Sequence, residues 1–81
     1  MMLYVGNLDY EVTEAELKQA FAIHGDVVSV RVIVDHESGR SRGFGFVEMA
    51  TEAEGAAAMA ATNGQSLMRR KLRVSPANRR R

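Results

Sequence analysis

Apolar positions along the chain recur every second residue in some stretches and every third or fourth in others, and each switch of period marks an element. "MLYVG", residues 2–6, is a short apolar run containing Tyr and Val that stops at Asn7, which predicts a strand. In "VTEAELKQAFAIHGD" the pair Thr13 and Glu16 forms a capping box, Leu17, Ala20 and Phe21 recur at helical spacing, and Gly25 supplies the stop. "VVSVRVIV", residues 27–34, is rich in β-branched side chains and predicts a strand. Simple alternation puts Val28, Val30, Val32 and Val34 on its inner face and Ser29, Arg31 and Ile33 on the other. The turn "DHESGRS" then leads by an antiparallel hairpin into "RGFGFVEM", residues 42–49. A second capping box, Thr51 with Glu54, opens the alanine-rich "EAEGAAAMAAT", whose propensity absorbs the roughly 1 kcal/mol that Gly55 costs, and Asn63-Gly64 closes it. The last strand, "KLRVS", alternates inward Leu72 and Val74 with outward Lys71, Arg73 and Ser75, and Pro76 is expected to end its pairing.

The order β-α-β-β-α-β predicts an α+β fold of the ferredoxin-like type, a four-stranded antiparallel sheet with two helices packed on one face. One sheet face is then bare, and parity says what it carries. Arg42, Phe44, Phe46 and Glu48 share one side of their strand, and Gly43, Gly45, Val47 and Met49 share the other. An ionised Arg or Glu is almost never buried unpaired, so the wet face takes both charges and the two rings with them. The glycines are expected to point toward the helices and allow close packing there. Leu17, Phe21, Val28, Val30, Val47, Met59, Leu72 and Val74 make a consistent core without those rings. With Leu3 and Val5 inward, Tyr4 becomes a third outward ring.

The chain has 81 residues, enough for a single domain, expected over residues 1–78, with 79–81 a short basic tail. Cysteine is absent, and the lone His24 and His36 do not make a metal centre, so no disulfide, metal or cofactor is expected. His24 is read as compensating a helix dipole. No apolar run approaches the length of a membrane span, about 18–20 residues, and "MMLYVGNL" lacks the charged start of a signal peptide. The reading is a soluble intracellular monomer, cytoplasmic in a bacterium and cytoplasmic or nuclear in a eukaryote. Net charge is +1, yet residues 1–37 carry seven acids against two bases and residues 38–81 carry nine bases against three acids. Sorted charge of this kind can present one basic face to a phosphate-bearing partner. Three outward rings flanked by Arg31, Arg42, Lys71 and Arg73 offer flat surfaces for bases and cations for phosphates, the means by which single-stranded nucleic acid is held.

"RGFGFVEM" and "LYVGNL", residues 3–8, resemble the RNP1 octamer and RNP2 hexamer of the RNA recognition motif family. The stretches "VTEAELKQAF", "GDVVSV" and "GRSRGFGFVEM" look particularly like the small single-domain members of bacteria and the glycine-rich and hnRNP-type members of eukaryotes. The resemblance implies that Tyr4 and Phe46 stack on adjacent bases, that Phe44 packs between their sugars, that Arg42 pairs with a phosphate and that Asn7 fixes the first loop. It also implies that main-chain groups of Ser75, Ala77 and Asn78 read base edges, with Arg79, Arg80 and Arg81 available for phosphates. The family commonly has a Leu near Thr62 and a Gly near Arg69, and this chain has neither, which puts a core contact and the turn before the last strand in question.

The expected activity is non-catalytic binding of single-stranded RNA over about two to four nucleotides, with a dissociation constant nearer micromolar than nanomolar. No membrane or small-molecule substrate is expected. Single-stranded DNA is an alternative ligand, because stacking does not distinguish the sugars. A protein-interaction module is a second alternative. An enzyme is disfavoured by the isolated histidines, the missing cysteine and the absence of a Gly-rich loop before a helix, although acylphosphatases share the topology.

Overall fold

The structure, a computed structural model, describes residues 1–77. Four strands, β1 (Met2–Gly6), β2 (Val27–Val34), β3 (Ser41–Met49) and β6 (Arg73–Pro76), form an antiparallel sheet in the order β2-β3-β1-β6. Helices α1 (Glu14–Ala22) and α2 (Glu52–Thr62) cover one face, and a short hairpin, β4 (Ser66–Leu67) with β5 (Arg70–Lys71), stands apart from the sheet. The fold is the ferredoxin-like arrangement that the periodicity predicts, with β1 and β3 at the centre.

The core lies between sheet and helices. Leu3, Val5, Val47, Met49 and Val74 enter it from the sheet, Leu17, Phe21 and Ala58 from the helices, and Leu8, Val12 and Leu72 from the connections. Thr13 caps α1 reciprocally: its hydroxyl accepts from the Glu16 N–H at 3.1 Å and its own N–H donates to Glu16 Oε1 at 3.0 Å. At α2 only half of the expected box forms. Thr51 Oγ1 accepts from the Glu54 N–H, but the Glu54 carboxylate takes the Thr51 hydroxyl instead of the backbone N–H. Thr62, near which the resemblance implies a Leu, is fully buried, and its hydroxyl donates to the Ala58 carbonyl at 2.7 Å. The hydroxyl is thereby satisfied inside the core.

Three expectations need correction. Val28 is 60% exposed and stands outside the core, because Val27 pairs with Met49 while Ser29 pairs with Glu48. Two residues of β2 therefore oppose one step of β3, and this bulge turns Val27 inward and Val28 out. A second irregularity, where Val32 faces Gly45 but Val34 faces Ser41, leaves Val34 exposed as well. Pro76 does not end the last strand: it pairs with Leu3, and the next residue, Ala77, donates its N–H to the Met2 carbonyl at 2.9 Å. A proline is tolerated there because β6 is an edge strand. Lys71 belongs to the β4–β5 hairpin, so it does not share a strand face with Arg73 and Ser75.

The glycines of β3 face something other than the helices. A side chain on Gly45 would collide with the Arg31 carbonyl of β2, so this glycine admits a close approach between strand backbones. Gly43 takes φ +85°, and a side chain there would press on the Tyr10 ring at 3.1 Å.

Candidate nucleic-acid interface

The register brings Tyr4 of β1 directly opposite Phe46 of β3, and Gly6 opposite Phe44. With Leu3, Val5, Val47 and Met49 buried on the helical side, alternation sends Tyr4, Phe44 and Phe46 to the bare face. The rings are half-buried there and take no part in the core cluster. Their centroids form a near-equilateral triangle: Tyr4 to Phe44 is 5.9 Å, Tyr4 to Phe46 is 6.0 Å and Phe44 to Phe46 is 6.2 Å. Interplanar angles of 66° and 88° at Phe46 give edge-to-face contacts, the geometry that the ring quadrupoles favour. The rings support one another sideways and leave outer surfaces for a ligand.

Gly6 makes this possible. A Cβ at this position would lie 2.7 Å from the Tyr4 hydroxyl and 2.8 Å from its ring, so the missing side chain lets Tyr4 lie back along β1 toward Phe44. Across the sheet, Arg31 is the cross-strand partner of Phe46 and Ser75 that of Tyr4, so the four form one row. Arg73 faces Gly6 from β6. Toward the other end of β3, Glu48 accepts from the Ser29 hydroxyl at 3.3 Å, which ties the wet-face acid to its neighbour strand.

Asn7 adopts φ +57° where the chain leaves β1, a conformation that Asn tolerates better than most residues. Its Nδ2 donates to the Lys71 carbonyl at 2.7 Å, and its Oδ1 accepts from Arg70 Nε at 3.1 Å and Nη2 at 2.8 Å. The first loop is thus bound to the β4–β5 hairpin. Asp9 adds a second tie. Its carboxylate accepts from the Glu11 N–H at 2.9 Å and from Arg69 Nε at 2.9 Å. The Glu11 N–H first, and then the Arg69 guanidinium, hold this carboxyl below the ordinary aspartate range. The turn before the last strand, where the resemblance implies a Gly near Arg69, takes its left-handed φ, +59°, on Met68.

Of the residues singled out from sequence, Tyr4, Phe44, Phe46, Arg31, Arg73 and Ser75 share the sheet's bare side, and Asn7 organises its edge. Arg42 is exposed at the rim, beyond the positive-φ Gly43, which breaks strict alternation between it and Phe44. The Ala77 amide is engaged with Met2, and Asn78 and Arg79–Arg81 lie outside the described residues. Sequence reasoning missed Gly6, Asp9, Tyr10 and Arg70. Gly6 had a signal, since it sits two places after Tyr4 on the same strand face. Among the described residues no cluster of His, Cys, Asp or Glu could hold a metal ion, and no helix is long and apolar enough to cross a membrane.

A bare antiparallel face with clustered rings on its two central strands defines an RNP-type sheet platform. The sequence profile of the RNA recognition motif matches residues 3–73, and the chain belongs to that family. It is 53% identical over 78 residues, 96% of this chain and 28% of the other, to the 28 kDa chloroplastic ribonucleoprotein of Nicotiana sylvestris. It is 52% identical over 77 residues to RbpB of Nostoc, a protein provisionally named for RNA binding, and covers 75% of it. The chain thus spans about a quarter to a third of the chloroplast ribonucleoproteins it matches and most of the cyanobacterial protein. Among solved structures, the RNA-binding protein PG1 superimposes with a TM-score of 0.94 at 47% identity, covering 100% of this chain and 98% of that one. The Sex-lethal protein in complex with RNA gives a TM-score of 0.92 at 29% identity over 96% of this chain and 47% of that one.

Proposed function

We propose that this chain binds single-stranded RNA on the bare face of its sheet, without catalysis. The observation that carries the reading is the triangle of Tyr4, Phe44 and Phe46 across β1 and β3, set between Arg31 and Arg73. Tyr4 and Phe46 each stack on a base, Phe44 packs between the sugars, and Arg42, Arg31, Arg73 and Lys71 meet phosphates. Main-chain groups of Ser75 and the Ala77 carbonyl, at the end of β6, read base edges, and Asn78, outside the described residues, is expected to join them. Likeness to the Sex-lethal protein, whose structure holds RNA, supports this ligand class. Stacking contributes about 1–3 kcal/mol per base, so a platform for two to four nucleotides gives affinity near micromolar.

The test is an amide chemical-shift titration of wild type and Phe46→Ala with random-sequence single-stranded RNA and with single-stranded DNA of equal length. RNA should move Tyr4, Phe44 and Phe46, and Phe46→Ala should lose about 1–3 kcal/mol of binding with its circular dichroism unchanged. Shifts confined to the helices would overturn the platform reading. Equal affinity for the two sugars would widen the ligand class to single strands generally.

A further inference from the structure

β2 lies at one edge of the sheet, with β3 on one side and no strand on the other among the described residues. We propose that this edge is a pairing surface for a second copy of this chain, and that Glu14 of α1 holds it closed. The inference stands apart from the RNA reading and uses none of the ring triangle.

The strand has the composition of one that pairs readily. All of "VVSVRVIV" except Ser29 and Arg31 is β-branched and apolar, and it contains neither Pro nor Gly. Val28 and Val34, near its two ends, are 60% and 48% exposed. An open edge of this kind is an association hazard unless something blunts it.

One hydrogen bond does so. The Val32 N–H donates to Glu14 Oε2 at 2.9 Å, a contact supplied by the first residue of α1. Val32 lies opposite Gly45, and because its amide goes to Glu14 it does not serve the ladder with β3. Antiparallel alternation then turns the main-chain groups of Val30 away from β3 as well, and those of Arg31 toward it. The Arg31 carbonyl does face β3, since it is the atom a side chain on Gly45 would strike. Register shifts between Val27 and Ser29 and between Val32 and Val34 bound this stretch, so the usable edge runs from Val30 to Val32.

The edge is its own complement. Val30 and Val32, which carry the outward groups, are symmetric about Arg31, and so are the exposed Val28 and Val34. Two antiparallel copies related by a twofold axis at Arg31 would set Val30 of one opposite Val32 of the other, twice over, with each pair exchanging its N–H and C=O groups. Val28 of one copy would then lie beside Val34 of the other. This ladder needs the Val32 N–H of both copies, the group that Glu14 occupies. It also sets Arg31 against Arg31, a like-charge pair that opposes it further.

Sedimentation velocity over a concentration series tests this on wild type, Glu14→Ala, Glu14→Asp and Glu52→Ala, with circular dichroism to check each fold. Glu14→Asp keeps the charge at the helix terminus but is one methylene too short for the Val32 amide, so it removes the contact with the least effect on α1. Wild type should stay monomeric, as should Glu52→Ala, which removes the corresponding exposed acid from the first turn of α2. Both Glu14 variants should dimerise, with association constants about ten-fold or more above wild type, the size of one hydrogen bond to a charged group. Added salt should strengthen the dimer by screening Arg31 from its copy. Val28→Lys with Val34→Lys, added to Glu14→Ala, should restore the monomer. Glu14 variants no more associated than wild type would overturn the proposal, and so would a wild type that dimerises as readily. A dimer that survives the two lysine substitutions would place the contact elsewhere, and assemblies beyond the dimer would rule out a closed twofold edge.

Discussion

A single carboxylate, Asp9, decides how the edge of the platform is held. It is buried, yet ionised at neutral pH, because the Glu11 N–H and the Arg69 guanidinium both favour its charged form. A carboxyl whose native pKa is depressed contributes stability above its unfolded value, near 4, and loses that contribution as pH falls through the native value. Arg69 shifts upward from an already high value, so it stays charged throughout this window. Asp9→Asn should therefore destabilise the protein at pH 7, and the gap from wild type should narrow as acid protonates Asp9 in the wild type. Urea unfolding of both proteins at neutral pH and below about pH 3 checks this. A gap that stays constant across the range would assign the effect to shape and not to charge. The same pair of residues ties the turn that carries the left-handed Met68 to the first loop.

At the scale of the elements, glycines that look alike in sequence do different things. Gly45 sits where any Cβ would meet the Arg31 carbonyl, and paired strand backbone cannot move without breaking its ladder. Gly55 of α2 sits where a Cβ would meet the Met1 side chain, which can turn away. Gly45→Ala should accordingly cost about 1–3 kcal/mol or more and disturb the β2–β3 pairing, whereas Gly55→Ala should be near neutral, because the roughly 1 kcal/mol of helix propensity it gains offsets the repacking. Denaturant midpoints of the two variants decide it, and comparable losses would mean that Met1 is as immovable as a strand. Element order and type were legible because the periods of two and of three to four are each sustained over several residues. The direction of Phe44 and Phe46 was legible because Glu48 shares their parity, whereas the parity of Arg42 is broken by the positive φ of Gly43. The bulge at Val28 was not, since Val27 and Val28 are identical and carry no sign of which one turns inward. Nor was the β4–β5 hairpin, whose left-handed residue is Met68 and not a glycine. Tyr10 and Arg70 come together through the loop ties of Asn7 and Asp9, contacts between residues 63 and 60 apart in sequence.

For the molecule as a whole, charge sorted along the chain becomes charge sorted in space. Glu14, Glu16, Glu52 and Glu54 stand in the first turns of the two helices, where they also favour the helix dipoles, and both helices lie behind the sheet. Arg31, Arg42 and Arg73 are placed on or beside the bare face. A net charge of +1 thus hides a bare face richer in cations than the helical side, and binding of RNA there should be salt-dependent. Each phosphate neutralised on a single strand adds about −0.7 to the slope of log K against log salt. If Arg42 meets a phosphate, Arg42→Ala should reduce that slope by about 0.7 while weakening binding to every sequence alike. Lys18→Ala, which removes an exposed cation from α1 on the opposite side, should leave the slope unchanged. Fluorescence titrations of one RNA oligomer at several salt concentrations measure both. Equal reductions in the two variants would mean that RNA senses only net charge, and no reduction at Arg42 would remove that side chain from the phosphate contacts.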